Sequence, residues 1–98
     1  MGRIFVATTD IPTAGTRVQI SNTPRLVVSI TFKARNGNTG SVYVGGSTVS
    51  STNGVELRPN EGKSYDFAAL RLTVPISDFY LDTATNGNDV DWWAIMWD

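Results

Sequence analysis

Residues 41–67 read SVYVGGSTVSSTNGVELRPNEGKSYDF, and the order of strands and turns in this stretch decides the fold. The alternation over Ser41 to Val44 predicts a short strand with Val42 and Val44 inward and Tyr43 outward. Gly45-Gly46 ends or bulges that strand at low steric cost. Ser47 to Gly54 is a polar loop closing on Asn53-Gly54, and its Ser and Thr content leaves no apolar stripe to bury, so it is expected at the surface. Val55 to Arg58 is a second strand. A tight turn at Pro59-Asn60-Glu61-Gly62 then leads as a hairpin into a third strand, Ser64 to Phe67, with Tyr65 and Phe67 on one face and Asp66 on the other.

Working outward, Arg25 to Arg35 is the clearest period-two segment, with Leu26, Val28, Ile30, Phe32 and Ala34 on one face and Ser29, Thr31, Lys33 and Arg35 on the other. Its expected partner is the strand at Ser41, joined to it through a hairpin loop over 36–40, where Gly and Asn tolerate positive φ. Arg3 to Thr9 reads as an N-terminal strand or extended arm, and Ala14 to Ile20 as a further strand before the turn at 21–24. Ala68 to Val74 fits a short strand or corner stopped by Pro75. Phe79 to Thr83 and Val90 to Trp97 are expected to form a hairpin across Asn86-Gly87.

The last strand is apolar on both faces: Val90, Trp92, Ala94 and Met96 on one, and Trp93, Ile95 and Trp97 below Asp91 on the other. One face belongs to the core; the other is expected to meet a second chain or a fold-back of the N-terminal arm. About eight short strands with turn signals spaced by roughly 8–12 residues predict an all-β fold, a two-sheet antiparallel β-sandwich of which a jelly roll is one form.

A chain of 98 residues makes a single domain, 1–98, with residues 1–12 as its candidate arm. The formal net charge of −1, with its Lys and Arg scattered as singles, makes nucleic acid and anionic membranes poor partners. There is neither cysteine nor histidine, which removes disulfides, thiolate metal sites, the commonest metal ligand and the commonest general base. No cofactor is expected. The start of the sequence has no signal-peptide apolar run, and no run approaches the roughly 20 residues of a membrane span, so a soluble product made in the cytoplasm is expected.

Few groups could carry chemistry. Asp78, Asp82, Asp89 and Asp91 form the one acidic set that could offer oxygen ligands to Ca²⁺, with Asp82 expected to face Asp89 and Asp91 across the Asn86-Gly87 hairpin. The EF-hand spacing is absent, and aspartates beside turns also keep edge strands soluble. Neither this set nor Glu56 and Glu61 is placed as a glycosidase dyad. The hydroxyls of Ser47 to Thr52 have no activating base, and Gly45-Gly46 is not followed by the Lys of a phosphate loop. Trp92, Trp93 and Trp97 raise a sugar-stacking platform as an alternative, but Trp93, Ile95 and Trp97 form a continuous apolar stripe that suits a protein interface better.

The motif VYVGGSTVSSTNGVELRPNEGKSYDF resembles a pattern in small virion proteins of tailed bacteriophages: a strand ending in Tyr-x-Gly-Gly, a Ser/Thr loop closing on Asn-Gly-Val/Ile, then x-Leu-x-Pro and an acidic turn. The matching positions are Tyr43, Gly45, Gly46, Asn53, Gly54, Val55, Leu57, Pro59 and Glu61. The strand from Arg25 to Arg35 is similar too, so the likeness covers about half of the chain. It implies a structural role as a capsid decoration (cement) protein, a head fibre or a tail component. The first of these would be a homotrimer on the virion surface, bound to the major capsid protein. The sequence departs from the pattern at its end, where it closes on WWAIMWD instead of a polar alternating strand. On this reading Trp93, Ile95 and Trp97, with Ile4, Phe5 and Val6, are the expected subunit contacts. Carbohydrate recognition on a tail or head fibre, through exposed Trp and Tyr43, is the alternative, and an enzymatic role is not expected.

Overall fold

A computed structural model of the chain describes residues 2–67, 71 and 73–97, at positions 2 and 97 the backbone alone. The described residues form nine strands: β1 (Gly2–Ile11), β2 (Val18–Gln19), β3 (Leu26–Ala34), β4 (Val42–Gly45), β5 (Val55–Leu57), β6 (Gly62–Asp66), β7 (Val74–Pro75), β8 (Tyr80–Thr83) and β9 (Asn88–Trp97). A 3₁₀ turn, Ile76–Asp78, precedes β8. Of the strand or corner expected over 68–74, residues 68–70 and 72 lie outside the described residues, and Val74 enters β7.

The strands make two antiparallel sheets, one ordered β1-β9-β3-β6 with β7 also paired to β3, the other ordered β2-β8-β4-β5. These pairings are those of one long hairpin rolled onto itself. The tip is β4 with β5, and successive rungs are β3 with β6, β2 with β8, and β1 with β9. That strand order is the jelly roll, so the β-sandwich expected from the sequence is the observed architecture. The stretch 41–67 sits at the tip of the roll.

Rolling the hairpin overturns three local expectations, because each turn that was expected to join paired neighbours instead carries the chain from one sheet to the other. Residues 36–40 link β3 to β4, Pro59 to Glu61 link β5 to β6, and Asn86-Gly87 link β8 to β9, and in each case the two strands lie in different sheets. The reason is visible in the backbone. No residue of 36–40 has positive φ. The Asn38 side chain there acts as a strand segment, donating from Nδ2 to the Asp89 carbonyl at 2.9 Å and accepting the Asp89 N–H on Oδ1 at 2.9 Å. At Pro59 the tight turn does form, with Asn60 at φ 73° and the Glu61 N–H on the Arg58 carbonyl at 2.9 Å. The Asn60 N–H then reaches the Ala34 carbonyl at 2.9 Å, which delivers the chain to the opposite sheet. Among the described strands, only β4 and β5 are both consecutive and paired.

The core lies between the sheets and contains Ile11, Val27, Ile30, Phe32, Val42, Val44, Leu57, Ile76, Leu81, Val90, Trp92, Ala94 and Met96. The inward face expected for β9 (Val90, Trp92, Ala94, Met96) is buried at every position. Phe32 and Ala34 keep the expected phase in β3, but its first residues do not. The register against β9 shifts between Val27 and Ser29, so a bulge buries Val27 and leaves Leu26 37% exposed. The strand expected over 14–20 shortens to Val18–Gln19, since Gly15 turns the backbone at φ 82° and its N–H is held by Asp82 Oδ1 at 3.0 Å.

Two expectations for the tip are corrected as well. Tyr43 is buried instead of facing solvent, and Val49 drives the polar loop into the fold with 2% of its surface exposed. Val49 fits because two glycines make room: a Cβ on Gly45 would lie 3.1 Å from Val49 Cγ2, and one on Gly54 only 2.8 Å away. Asn53 pins the loop by donating from Nδ2 to the Thr48 carbonyl and to Thr48 Oγ1, each at 3.1 Å.

Candidate interaction face

The outer face of the β1-β9-β3-β6 sheet is built by three strands whose even or odd positions alternate in phase. In β1 the even positions Ile4, Val6, Thr8 and Asp10 point outward, while Phe5, Ala7, Thr9 and Ile11 turn toward the core. Strand pairing then lays the outward residues in rows: Ile4 beside Ile95 and Ser29, Val6 beside Trp93 and Thr31, and Thr8 beside Asp91 and Lys33. β6 extends these rows with Asp66, Ser64 and Gly62.

The rows grade from apolar to charged. At one end Ile4, Val6 and Trp93 are 66%, 75% and 44% exposed, with half-buried Ile95 among them. A shallow depression of about 350 Å³ beside Trp93 is lined by Val6, Thr31, Lys33, Asp91 and Trp92. At the other end Asp91 Oδ1 accepts from Thr8 Oγ1 at 2.6 Å and from Arg35 Nε at 2.8 Å, while Arg35 Nη2 donates to Thr8 Oγ1 at 3.3 Å. The Thr8 hydroxyl, joined by the Arg35 and Lys33 charges, holds the Asp91 carboxyl below the usual range. Asp89 behaves in the opposite way: burial, then the hydrogen bond and repulsion from Asp10 opposite it, push its carboxyl up.

The structure brings together four of the six expected contact residues, Ile4, Val6, Trp93 and Ile95. Phe5 does not join them, because alternation turns it inward against the core, with the Arg25 guanidinium 5.1 Å from its ring centre. The backbone of Trp97 pairs with Gly2, and its side chain lies outside the described residues. The N-terminal arm does not fold back over the outer face of β9; it extends the sheet as the neighbouring strand. Thr8, Thr31, Lys33 and Arg35, which complete the face, were missed by sequence reasoning. Their signal was the common phase of β1, β3 and β9, usable only once those strands are known to be neighbours.

The acidic set is dispersed. Asp82 is buried and accepts the N–H groups of Gly15 and Thr83, Asp91 is tied to Arg35, and Asp78 lies at the 3₁₀ turn. Asp82 does not face Asp89 and Asp91 across a hairpin, since β8 and β9 belong to different sheets. Among the described residues no three acidic side chains converge as a metal site. The motif residues lie away from the outer face: Tyr43 and Leu57 are buried at the tip, and Glu61 Oε1 accepts the Arg58 N–H at 2.7 Å to brace the turn at Pro59. A second groove, of about 430 Å³, runs past Val44, Val55, Tyr65, Phe67 and Phe79. Burial there raises the pKa of Tyr65.

No protein-family model matches the chain, and no curated protein matches it. Among solved structures it is similar to part of IMPa from Pseudomonas aeruginosa, determined in complex with an O-glycopeptide: 15% identity, 97% of this chain, 12% of that protein and a TM-score of 0.55. The chain thus spans about an eighth of the length of IMPa. It also aligns with a Bacillus endospore appendage from a family of disulfide-linked pili, at 12% identity over 99% of this chain and 89% of that one, with a TM-score of 0.49. At such identity the likeness to IMPa shows a shared fold alone, and the appendage alignment carries no argument.

Proposed function

We propose that this chain is a structural, non-catalytic virion protein of a tailed bacteriophage, a capsid decoration (cement) protein that docks on the assembled head by the outer face of its β1-β9-β3-β6 sheet. The observation that carries the reading is the exposed strip of Ile4, Val6, Trp93 and Ile95, an apolar centre beside a hydrogen-bonded polar border of Thr8, Arg35 and Asp91. An apolar centre with a polar rim is the anatomy of a protein interface. The motif over 43–61 supports the phage assignment by resemblance. The mechanism is mass action: a protein that binds the assembled lattice and not its free subunits stabilises the lattice. Location on the virion surface and contact with the major capsid protein are parts of the same proposal. It is tested by co-sedimenting the purified chain with heads of the phage that encodes it. Saturable binding to assembled heads, lost in Trp93→Ser, is expected; absence of binding, or equal binding to unassembled capsid subunits, refutes it.

A second reading rests on the depression beside Trp93, where a half-exposed indole adjoins Thr31, Lys33 and Asp91. Aromatic stacking flanked by hydrogen-bonding groups suits a saccharide, as on a tail or head fibre. A glycan array on which Trp93→Ser erases a reproducible signal supports this reading, and a blank array removes it.

A further inference from the structure

The edges of the two sheets are not protected alike. An edge strand offers a row of unpaired N–H and C=O groups to any other strand, and stable monomers blunt such edges with short strands, Pro, Lys or bulges. Among the described strands, β2 has two residues and β5 three. β6 carries Lys63 and begins at Gly62, and β7 contains Pro75. β1 is different. It runs for ten residues, pairs among the described strands only with β9, keeps that register without a bulge and contains neither Pro nor Lys.

We propose that the free edge of β1 pairs antiparallel with β1 of a second copy of this chain, about a two-fold axis at Phe5, joining two β1-β9-β3-β6 sheets into one continuous sheet. Three features select a second copy and this register. A two-fold axis normal to the sheet keeps outward residues outward only if the paired residue numbers sum to an even value, because side chains alternate with period two. Centred on Phe5, the pairing sets Ile4 opposite Val6 of the second copy, twice over. The most exposed apolar side chains of the strand, 66% and 75%, thus face each other beside Trp93 and Ile95 of both copies. Asp10 then lies beyond the paired segment 2–8, whereas centring on Ala7 would set its carboxylate against Ile4. The contact is isologous, so it closes as a dimer and does not run on as a fibre.

The proposal is independent of head binding, because it is read on the isolated chain. Sedimentation velocity over a concentration series should give a species of twice the 10.6 kDa chain mass. Val6→Lys, at an exposed position that leaves the fold intact, should return it to monomer, while Trp93→Thr should leave it dimeric. The natural absence of cysteine permits a register test. The double variant Ile4→Cys/Val6→Cys should oxidise to a covalent dimer, because directly opposed β-carbons lie within about 5 Å. Either single variant should not, since its cysteines sit on the diagonal at about 7–8 Å, beyond disulfide reach. A monomer throughout the series, a trimeric mass, a dimer that survives Val6→Lys but is lost in Trp93→Thr, or cross-linking by a single variant each overturns it. Loss of head binding with the dimer intact, or the reverse, separates this contact from the proposed function.

Discussion

Gly54→Ala tests why the tip of the rolled hairpin needs Asn-Gly where it has it. The glycine sits at φ 159°, and an added Cβ would lie 2.8 Å from Val49 Cγ2 and 3.0 Å from the Val44 carbonyl oxygen. Neither neighbour yields easily: Val44 O belongs to β4, and Val49 is buried and also wedged against Gly45. Overpacking of this kind costs about 1–3 kcal/mol. Holding an L-residue in glycine's backbone territory adds about 1–3 kcal/mol, for a combined loss of roughly 2–6 kcal/mol. At about 4–8 °C per kcal/mol for a domain of this size, the melting temperature should fall by at least about 8 °C. Urea and thermal unfolding followed by tryptophan fluorescence measure this directly. Val49→Ala on its own creates a small cavity and is also destabilising. In the double variant it relieves one of the two clashes, so the combined loss should be smaller than the sum by about 0.5–3 kcal/mol. A loss below about 1 kcal/mol for Gly54→Ala, or strict additivity in the double variant, refutes the account of Val49 as the plug that the glycines accommodate.

Further outcomes follow from the same geometry. Asn88 is buried, accepts the Thr39 N–H at 2.9 Å and donates to Thr83 Oγ1 at 2.8 Å and Thr85 Oγ1 at 2.9 Å. Asn88→Ala should therefore cost about 2–4 kcal/mol in urea unfolding, as bonds are lost and a donor is orphaned. Trp93→Ser, on the exposed face, should change unfolding stability by no more than about 0.5 kcal/mol while abolishing head binding. Because the Asp91 pKa is lowered in the folded state, its stabilisation is present above the unfolded carboxyl value of about 3.9 and is lost as pH falls through the folded value. Asp91→Asn should be less stable than the natural protein near neutral pH and converge with it in acid. Asp89 is raised, so its unfavourable charge is felt as pH rises from the unfolded value through the folded one; Asp89→Asn should gain stability near neutrality and lose that advantage in acid. Denaturant titrations across the acid range check both signs.

Strand identity was legible in the sequence because a half-buried strand must alternate, as Ile30 to Ala34 does, while Val90 to Trp97 stood out as a run apolar on both faces. Strand pairing was not. Asn86-Gly87 supplies the positive φ of a two-residue hairpin, with Gly87 at 79°, yet it serves a corner: the Gly87 N–H goes to the Ile11 carbonyl at 3.1 Å and Asn86 Oδ1 accepts from Ala14 N at 2.8 Å. Turn chemistry specifies a local reversal, and only side-chain contacts from distant strands decide whether that reversal stays in one sheet or crosses to the other. The same limit explains Val49. A lone valine among hydroxyls carries no periodicity, and its burial depends on space left by Gly45 and Gly54. On the candidate face, β9 declared itself by being apolar on both sides, while Thr8, Lys33 and Arg35 looked like ordinary surface residues until strand order placed them in its rows.

The rolled hairpin also separates what the two halves of the sequence can say. Its first and last rungs are one rung: β1 and β9, at the two ends of the described chain, pair along ten residues and hold Ile4, Val6, Trp93 and Ile95. Its tip, β4 and β5 with the turn at Pro59, holds the motif, and there the chemistry is internal: Asn53 on Thr48, Glu61 on Arg58, Val49 between glycines. A substitution at the tip acts on the packing of the roll, while one at Ile4, Val6 or Trp93 changes an exposed side chain and leaves the core in place. The recognisable motif thus reports the fold, while the exposed apolar surface is formed by Trp93 with the outward residues Ile4 and Val6 of the first strand. On the proposed function, swapping Ile4, Val6, Trp93 and Ile95 alone between sandwiches that share the tip motif should transfer binding without transferring stability, because none of the four belongs to the buried core.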